Sequence, residues 1–210
     1  MLCLFALVTS VWFFAAIAED VAEGDPLTIV DARFSAWLHA HSAASLTFLM
    51  RVVSDLHSLW YVGIVTVALS AYWWLKGLRD WVVILMSAVF GGMLLNFILK
   101  HVFLRARPQF DPPILTLTTY SFPSGHTLMA TVFYGALGWF VLSRSDNWPM
   151  RLFAISIPLV MIPLVGFSRI YLGAHYLSDV LAAMAEGLAW LAFCLICAET
   201  MKRRREAKRQ

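Results

Sequence analysis

Three groups of polar residues stand at the ends of apolar runs, and their types suit the handling of a phosphate. Lys100 is followed, after six residues, by Arg107-Pro108. Tyr120-Ser121-Phe122-Pro123-Ser124-Gly125-His126 makes a polar knot between two long apolar runs. Ser168-Arg169 is followed, after five residues, by His175 and, after three more, by Asp179. Together they supply three cations, two imidazoles, a carboxylate and a helix start. That set fits phosphoryl transfer, where positioning and charge neutralisation do most of the catalysis.

Each piece has a local reason. Pro123 suits the entry to a helix, where its missing N–H is not needed. Ser124 is expected to cap that helix with its side chain, and Gly125 lets a ligand approach the backbone. The free N–H groups of a helix start form an anion site. His126 stands within one turn of it. His175 and Asp179 are four apart, hence expected on one helix face. The plainer readings are a capped membrane helix with a surface histidine and an ordinary polar pair on the last helix. The co-occurrence of all three groups outweighs them.

The elements that position these groups follow from composition. Of 210 residues, 60% are hydrophobic, against about half for a soluble domain. Several runs approach the roughly 20 residues that cross a bilayer. The expected fold class is all-α, a polytopic membrane bundle of six transmembrane helices in a single domain over 1–210. Spans are expected at 2–18, 58–75, 81–101, 126–143, 152–168 and 176–198. Pro158 and Pro163 should bend the fifth span. Residues 2–18 are read as a short first span. A signal peptide is the alternative, since Ala16-Ile17-Ala18 precedes Glu19, but no basic region comes before it.

Residues 19–57 form an amphipathic external connection, with Asp25-Pro26 opening a helix and two stripes suited to the interface plane. Its pattern suggests a gate for lipid entry. His39, His41 and His57 within it are expected to be solvated or interfacial. Residues 58–198 form the core, and 199–210 a basic cytoplasmic tail holding Lys202 to Arg205, Lys208 and Arg209. Beside a membrane helix such a run reads as an anchor, not as a nucleic-acid site. Cys194 and Cys197 have no further ligands near them and read as packed apolar residues.

The positive-inside rule places the C-terminal tail in the cytoplasm, with the turns at Lys76/Arg79 and Arg144/Arg151. All three polar groups then fall on the outer side, where Lys100, Arg105, Arg107 and Arg169 break the rule. A cation at membrane depth costs about 2.5–3.5 kcal/mol on insertion scales, so such residues are usually functional. Arg105 is expected to be solvated, and Ser168 to bond at a helix end. Asn96, one turn before Lys100, shares its inward face. Glu186 is expected to bond inside the bundle, with Thr131 or Ser156 as acceptor or donor.

The three groups resemble the signature of the type 2 phosphatidic acid phosphatase superfamily, the lipid phosphate phosphatases. The motifs run Lys-six residues-Arg-Pro, then Pro-Ser-Gly-His, then Ser-Arg-five residues-His-three residues-Asp. The resemblance spans roughly 58–190, without a departure in the motifs. It implies a core shared with vanadium-dependent haloperoxidases and a phosphohistidine mechanism without a metal or other cofactor. By that resemblance His175 is the nucleophile, Asp179 orients it, and His126 is the general acid. Lys100, Arg107, Ser124, Gly125 and Arg169 hold the phosphate. The expected substrate is a lipid phosphate or pyrophosphate: phosphatidic acid, phosphatidylglycerol phosphate or undecaprenyl pyrophosphate. The partners are that lipid and the bilayer, and the arrangement suits a bacterial inner membrane with a periplasm-facing site. A phosphotransferase on the same fold, or a non-enzymatic lipid-binding protein, are the alternatives.

Overall fold

The structure, a computed structural model, describes residues 1–24, 26–115 and 117–208. Asp25, expected to open a helix with Pro26, and Arg209 of the basic tail lie outside the described residues.

Among the described residues the regular elements are all helical, in the order α1 (Leu2–Glu23), α2 (Pro26–Ala40), α3 (Ala44–Leu56), α4 (Leu59–Leu75), α5 (Arg79–Met86), a π-helical turn (Ser87–Gly91), α6 (Gly92–Phe103), α7 (Gly125–Arg144), α8 (Trp148–Tyr171) and α9 (Leu177–Ala207). α5, the π-turn and α6 run on as one apolar stretch, Arg79–Phe103. Among the described residues five stretches are long and apolar enough to cross a membrane, and α3 with α4, bent by 44°, makes a sixth when the pair is counted as one span. The chain is a multi-pass membrane protein.

Two expected boundaries shift. The second stripe of the external connection lies on α3, which passes into α4 through only His57 and Ser58 at a bend of 44°, and Ser58 caps α4 by accepting from the Tyr61 N–H. The basic tail is no separate segment. α9 continues through it to Ala207, about 46 Å of helix at 1.5 Å per residue, and Arg205 pairs with Asp80 at 3.1 Å. α8 runs unbroken through Pro158 and Pro163.

α7 is the central post. It packs against α8 and α9, and Leu128, Met129 and Val132 on it are fully buried with Leu85 and Val89. A helix apolar on all sides is stable at the centre of a bundle. α1 lies along α9 and stays mostly open to the surroundings, as a helix bathed in lipid can. The π-turn has a local cause. It lies against Trp190, whose indole N–H donates to Ser87 O at 3.0 Å, and a Cβ on Gly91 would meet that ring at 2.5 Å. Such a turn is a common way for a helix to take in a side chain.

At one end of the bundle α2 and α3 fold over α8 and α9. Leu38 and Met50 pack with Ile170, Tyr171, Leu172 and Val180. The loop after α6, read as long and functional, is pinned by Phe122, which is fully buried against Phe103 at 4.8 Å and Phe14 at 5.9 Å between ring centroids. His57 is a correction. It is buried rather than solvated, because Nδ1 bonds Val53 O at 2.7 Å and Nε2 the Tyr134 hydroxyl at 2.8 Å. His39 is half-buried and stacks on Phe110, with ring centroids 4.4 Å apart. His41 is exposed, as expected.

Candidate active site

Helix ends far apart in the chain meet at the α2–α3 end of the bundle. The C-terminus of α6 carries Lys100, the loop beyond it Arg107, the N-terminus of α7 Gly125 and His126, the C-terminus of α8 Arg169, and the turn before α9 His175. These six residues line one cavity of about 680 Å³. Ser124 and Asp179 lie directly behind it, fully buried. Two bonds lock the motifs together: Ser124 N–H donates to Asp179 O at 3.1 Å, and Ser121 N–H to Arg105 O at 2.9 Å.

His175 is set by what it touches. An Arg107 Nη1–H group faces its Nε2 at 3.3 Å, and since guanidinium only donates, that nitrogen carries the lone pair. Nδ1 then carries the proton, and it faces Asp179 Oδ2 at 3.4 Å. Burial, and then the charges of Lys100, Arg107 and Arg169, hold the imidazole well below its usual pKa. It is therefore neutral at neutral pH, with the free nitrogen turned toward the cations.

Lys100 and Arg107 are held by backbone carbonyl groups of the loop after α6 and of the turn before α9. Lys100 Nζ donates to Tyr120 O at 2.8 Å and Ser121 O at 3.3 Å. Arg107 donates to Thr119 O at 2.5 Å, Ala174 O at 2.6 Å and Tyr120 O at 3.0 Å. Burial lowers the Arg107 pKa. Arg169 donates from Nη1 to the Ser54 hydroxyl on α3, while its buried Nε–H has no acceptor among the described residues. A buried charged donor is expensive to leave unpaired, so this N–H suits an anion in the cavity. The first N–H groups of α7 have no intrahelical acceptor either. Asn96, as its register with Lys100 suggests, lines the same cavity.

Several expectations need correcting. Ser124 is the N-cap residue of α7 but makes no side-chain capping bond. Its hydroxyl accepts from Thr127 at 3.0 Å instead. His175 and Asp179 do not share a helical face, because α9 begins only at Leu177. Asp179 is at the third helical position of a capping box and accepts from the Tyr176 N–H at 2.9 Å. One carboxylate thus closes the helix start and faces the histidine. Arg105 is not solvated. It bonds Asp179 at 2.5 Å and Asp31 at 2.8 Å. Burial alone would lower its pKa, but the two carboxylates outweigh that and raise it. Glu186 does bond inside the bundle, to Asn96 at 2.9 Å, while Thr131 donates to Thr127 O. Ser168 bonds Val165 O at 2.6 Å within its own helix.

Asp31 and Ser54 lie outside the three motifs and Ser178 at an unspecified position of the third, so a motif-based reading misses them. Arg105 had a signal: it breaks the positive-inside rule two residues before Arg107.

Comparison with known proteins bears on the fold and the family. The model of the PAP2 superfamily matches residues 81–203. Phosphatidylglycerophosphatase B of Bacillus subtilis is 37% identical over 120 residues, 56% of this chain and 58% of that protein. Undecaprenyl-diphosphatase BcrC of Bacillus subtilis is 31% identical over 97 residues, 44% of this chain and 45% of that one. The chain thus spans about half the length of the curated relatives it matches. The crystal structure of a transmembrane PAP2 type phosphatidylglycerolphosphate phosphatase from Bacillus subtilis superposes with a TM-score of 0.83 at 25% identity, covering 95% of this chain and 98% of that one. Aquifex aeolicus LpxE shares the fold, with a TM-score of 0.61 at 22% identity over 79% of this chain and 94% of that one.

Proposed function

The chain belongs to the PAP2 superfamily, and we propose that it is an integral membrane phosphatase that hydrolyses a lipid phosphate or pyrophosphate through a phosphohistidine on His175. One observation carries this reading: the His175 imidazole, with Nε2 3.3 Å from Arg107 Nη1, stands in a cavity it shares with Lys100, Arg169 and His126.

A phosphomonoester near pH 7 carries close to two negative charges. Lys100, Arg107, Arg169 and the start of α7 gather its oxygens and offset charge in the transition state. Nε2 then forms a bond to phosphorus as the bond from phosphorus to the lipid oxygen breaks. His126 gives that oxygen its proton. Asp179, facing Nδ1, steadies the positive charge that develops on the ring. Water next attacks the phosphohistidine, giving its proton to His126, and Nε2 regains its lone pair. Asp31 and Asp179 are engaged by Arg105, and one oxygen of Glu186 by Asn96.

The lipid reading draws support from the cavity wall. Leu94 and Phe97 line it and are largely exposed on the outside of the bundle, so an acyl or isoprenoid chain can lie against them while the phosphate meets the cations. The orientation belongs to the proposal too. Lys202 to Arg205 and the turns at Arg79 and Arg144 gather at the far end, which the positive-inside rule assigns to the cytoplasm. The cavity then faces outward, toward the periplasm in a bacterial inner membrane. Two relatives, a phosphatidylglycerophosphatase and an undecaprenyl-diphosphatase, make those two lipids the first substrates to try.

The test is phosphate release by purified protein in detergent, with EDTA present, from phosphatidic acid, phosphatidylglycerol phosphate and undecaprenyl pyrophosphate side by side. Release from at least one is expected, with a loss of at least about a thousandfold in His175→Ala. Strict dependence on magnesium, or full turnover by His175→Ala, overturns the mechanism. Transfer of the phosphate to an added alcohol instead of water would make it a phosphotransferase.

A further inference from the structure

We propose that Asp31 and Arg105 are positioning residues for the reaction at His175, forming with Asp179 a chain of alternating charge that runs from the cavity to the external helix α2. The proposal rests on the reading of His175 as nucleophile.

The contacts form an unbroken series. Asp179 Oδ2 faces His175 Nδ1 at 3.4 Å and accepts from Tyr176 N–H at 2.9 Å. Asp179 Oδ1 takes Arg105 Nη1–H at 2.5 Å. The other arm of the same guanidinium, Nη2, donates to Asp31 Oδ2 at 2.8 Å. Asp31 is fully buried. Its Oδ1 accepts from Ser178 N–H at 2.9 Å, and its Oδ2 from the Ser178 hydroxyl. The guanidinium also lies 4.4 Å from the centroid of the Tyr176 ring. Asp31 lies 147 positions from Ser178 in the chain, so this is tertiary organisation and not a local cap.

The arrangement does two things for His175. Arg105 fixes one oxygen of Asp179, which leaves the other aimed at Nδ1. It would also drain the carboxylate's charge if Asp179 were its only partner. Asp31 shares that guanidinium, so the trio carries a net charge of one negative unit. Opposing it, Lys100 on α6, Arg107 on the loop and Arg169 on α8 act on the ring from the cavity side. When phosphorus bonds to Nε2, the ring becomes positive while keeping its Nδ1 proton. A net negative trio behind Nδ1 stabilises that state more than the neutral one, which is the condition for catalysis. A staple that only held α2 to α9 would need neither the shared guanidinium nor the aim of Asp179.

The test compares wild type, Asp31→Asn, Arg105→Lys and His175→Ala in detergent. It measures thermal unfolding, and kcat and KM on dioctanoyl phosphatidic acid across pH. For Asp31→Asn we expect kcat to fall about tenfold to a hundredfold, in line with outer partners that orient a functional histidine. KM should stay within about twofold and the unfolding midpoint within a few degrees. The acid limb of kcat/KM should move to lower pH, because less negative charge behind the ring disfavours its protonated form. Asp31→Glu should recover part of kcat. If Asp31→Asn does not fold, Arg105→Lys carries the same expectation of a kcat loss at constant KM. Wild-type kcat in the folded variant, or an unmoved acid limb with a loss that tracks the unfolding midpoint, overturns the inference. Activity in His175→Ala would instead sink the nucleophile assignment, so the two failures are separable.

Discussion

The Asn96 amide donates to Glu186 Oε2 at 2.9 Å and reaches Pro123 O at 3.4 Å. A single nitrogen thus joins α6 to α9 and to the entry of α7. Asn96 Oδ1 also stands 3.3 Å from where a Cβ on Gly125 would be, so the amide backs the start of the helix that faces the cavity. Glu186 is an intramembrane acid, 3% exposed, and such residues are functional candidates by default. Here its place is to hold Asn96.

Asn96→Ala strips that acid of its donor. Leaving a buried acceptor unpaired costs about 1–3 kcal/mol. We expect a lowered unfolding midpoint in detergent and a several-fold loss of turnover, since the Pro123–Gly125 turn loses its support. Glu186→Gln keeps an acceptor for Asn96 and should change the midpoint little. An unfolding midpoint unchanged in Asn96→Ala would show that the contact carries no stability.

Ser54 on α3 accepts from Arg169 in the cavity wall. Hydrogen bonds to charged groups contribute about 1.5–3 kcal/mol. Ser54→Ala should therefore lower kcat/KM by about tenfold or more, with Ser54→Thr close to wild type. Steady-state kinetics on one lipid phosphate decides it. Equal kinetics for all three proteins would mean that Arg169 is held by packing alone.

The pH profile follows from His175. Burial first, and then Lys100, Arg107 and Arg169, hold its pKa well below 6.5. The reactive neutral form therefore persists as pH falls through 6.5, and the acid limb of kcat/KM, which reports the free enzyme, should lie below that value. The same shift bears on stability. The unfolded chain binds the proton near 6.5 and the folded one does not, so this group's contribution is complete above about 6.5 and is lost as pH falls below it. An acid limb centred at or above 6.5 would contradict the assignment.

At Gly138, α7 lies close against α8. A Cβ there would stand 2.8 Å from Ala154 O and 3.3 Å from Pro158. A backbone oxygen cannot swing aside, so Gly138→Val should cost about 1–3 kcal/mol by overpacking. Gly63→Ala, with nothing within 4 Å of the added atom, is the control and should leave the melting curve unchanged or slightly raised. Equal melting of the two variants would mean the crossing can open freely.

How much was legible beforehand divides along physical lines. Apolar runs long enough to cross a bilayer, charged turns at alternating ends and three spaced motifs follow from composition and local order alone. From them come the six spans and the gathering of Lys100, Arg107, His126, Arg169 and His175 at one end. Those are properties of short stretches and of the solvent each must face. The partners of Arg105 are of another kind. Asp31 and Asp179 each lie 74 positions from it, and a single ion pair across that separation leaves no periodic mark. Ser54, His57 and Asn96 were drawn in the same way, by acceptors and donors brought near only when the helices pack. The Ser124 side chain and the His175–Asp179 pair went astray for a related reason. The first is the N-cap of α7 as expected but its hydroxyl is taken by Thr127, and the second depends on α9 beginning only at Leu177; competing hydrogen bonds set both. Sequence by itself determined which chemistry gathers at which end of the bundle. Tertiary packing alone decided which buried groups hold that chemistry in line, because a buried charge must find its partner wherever the fold places one.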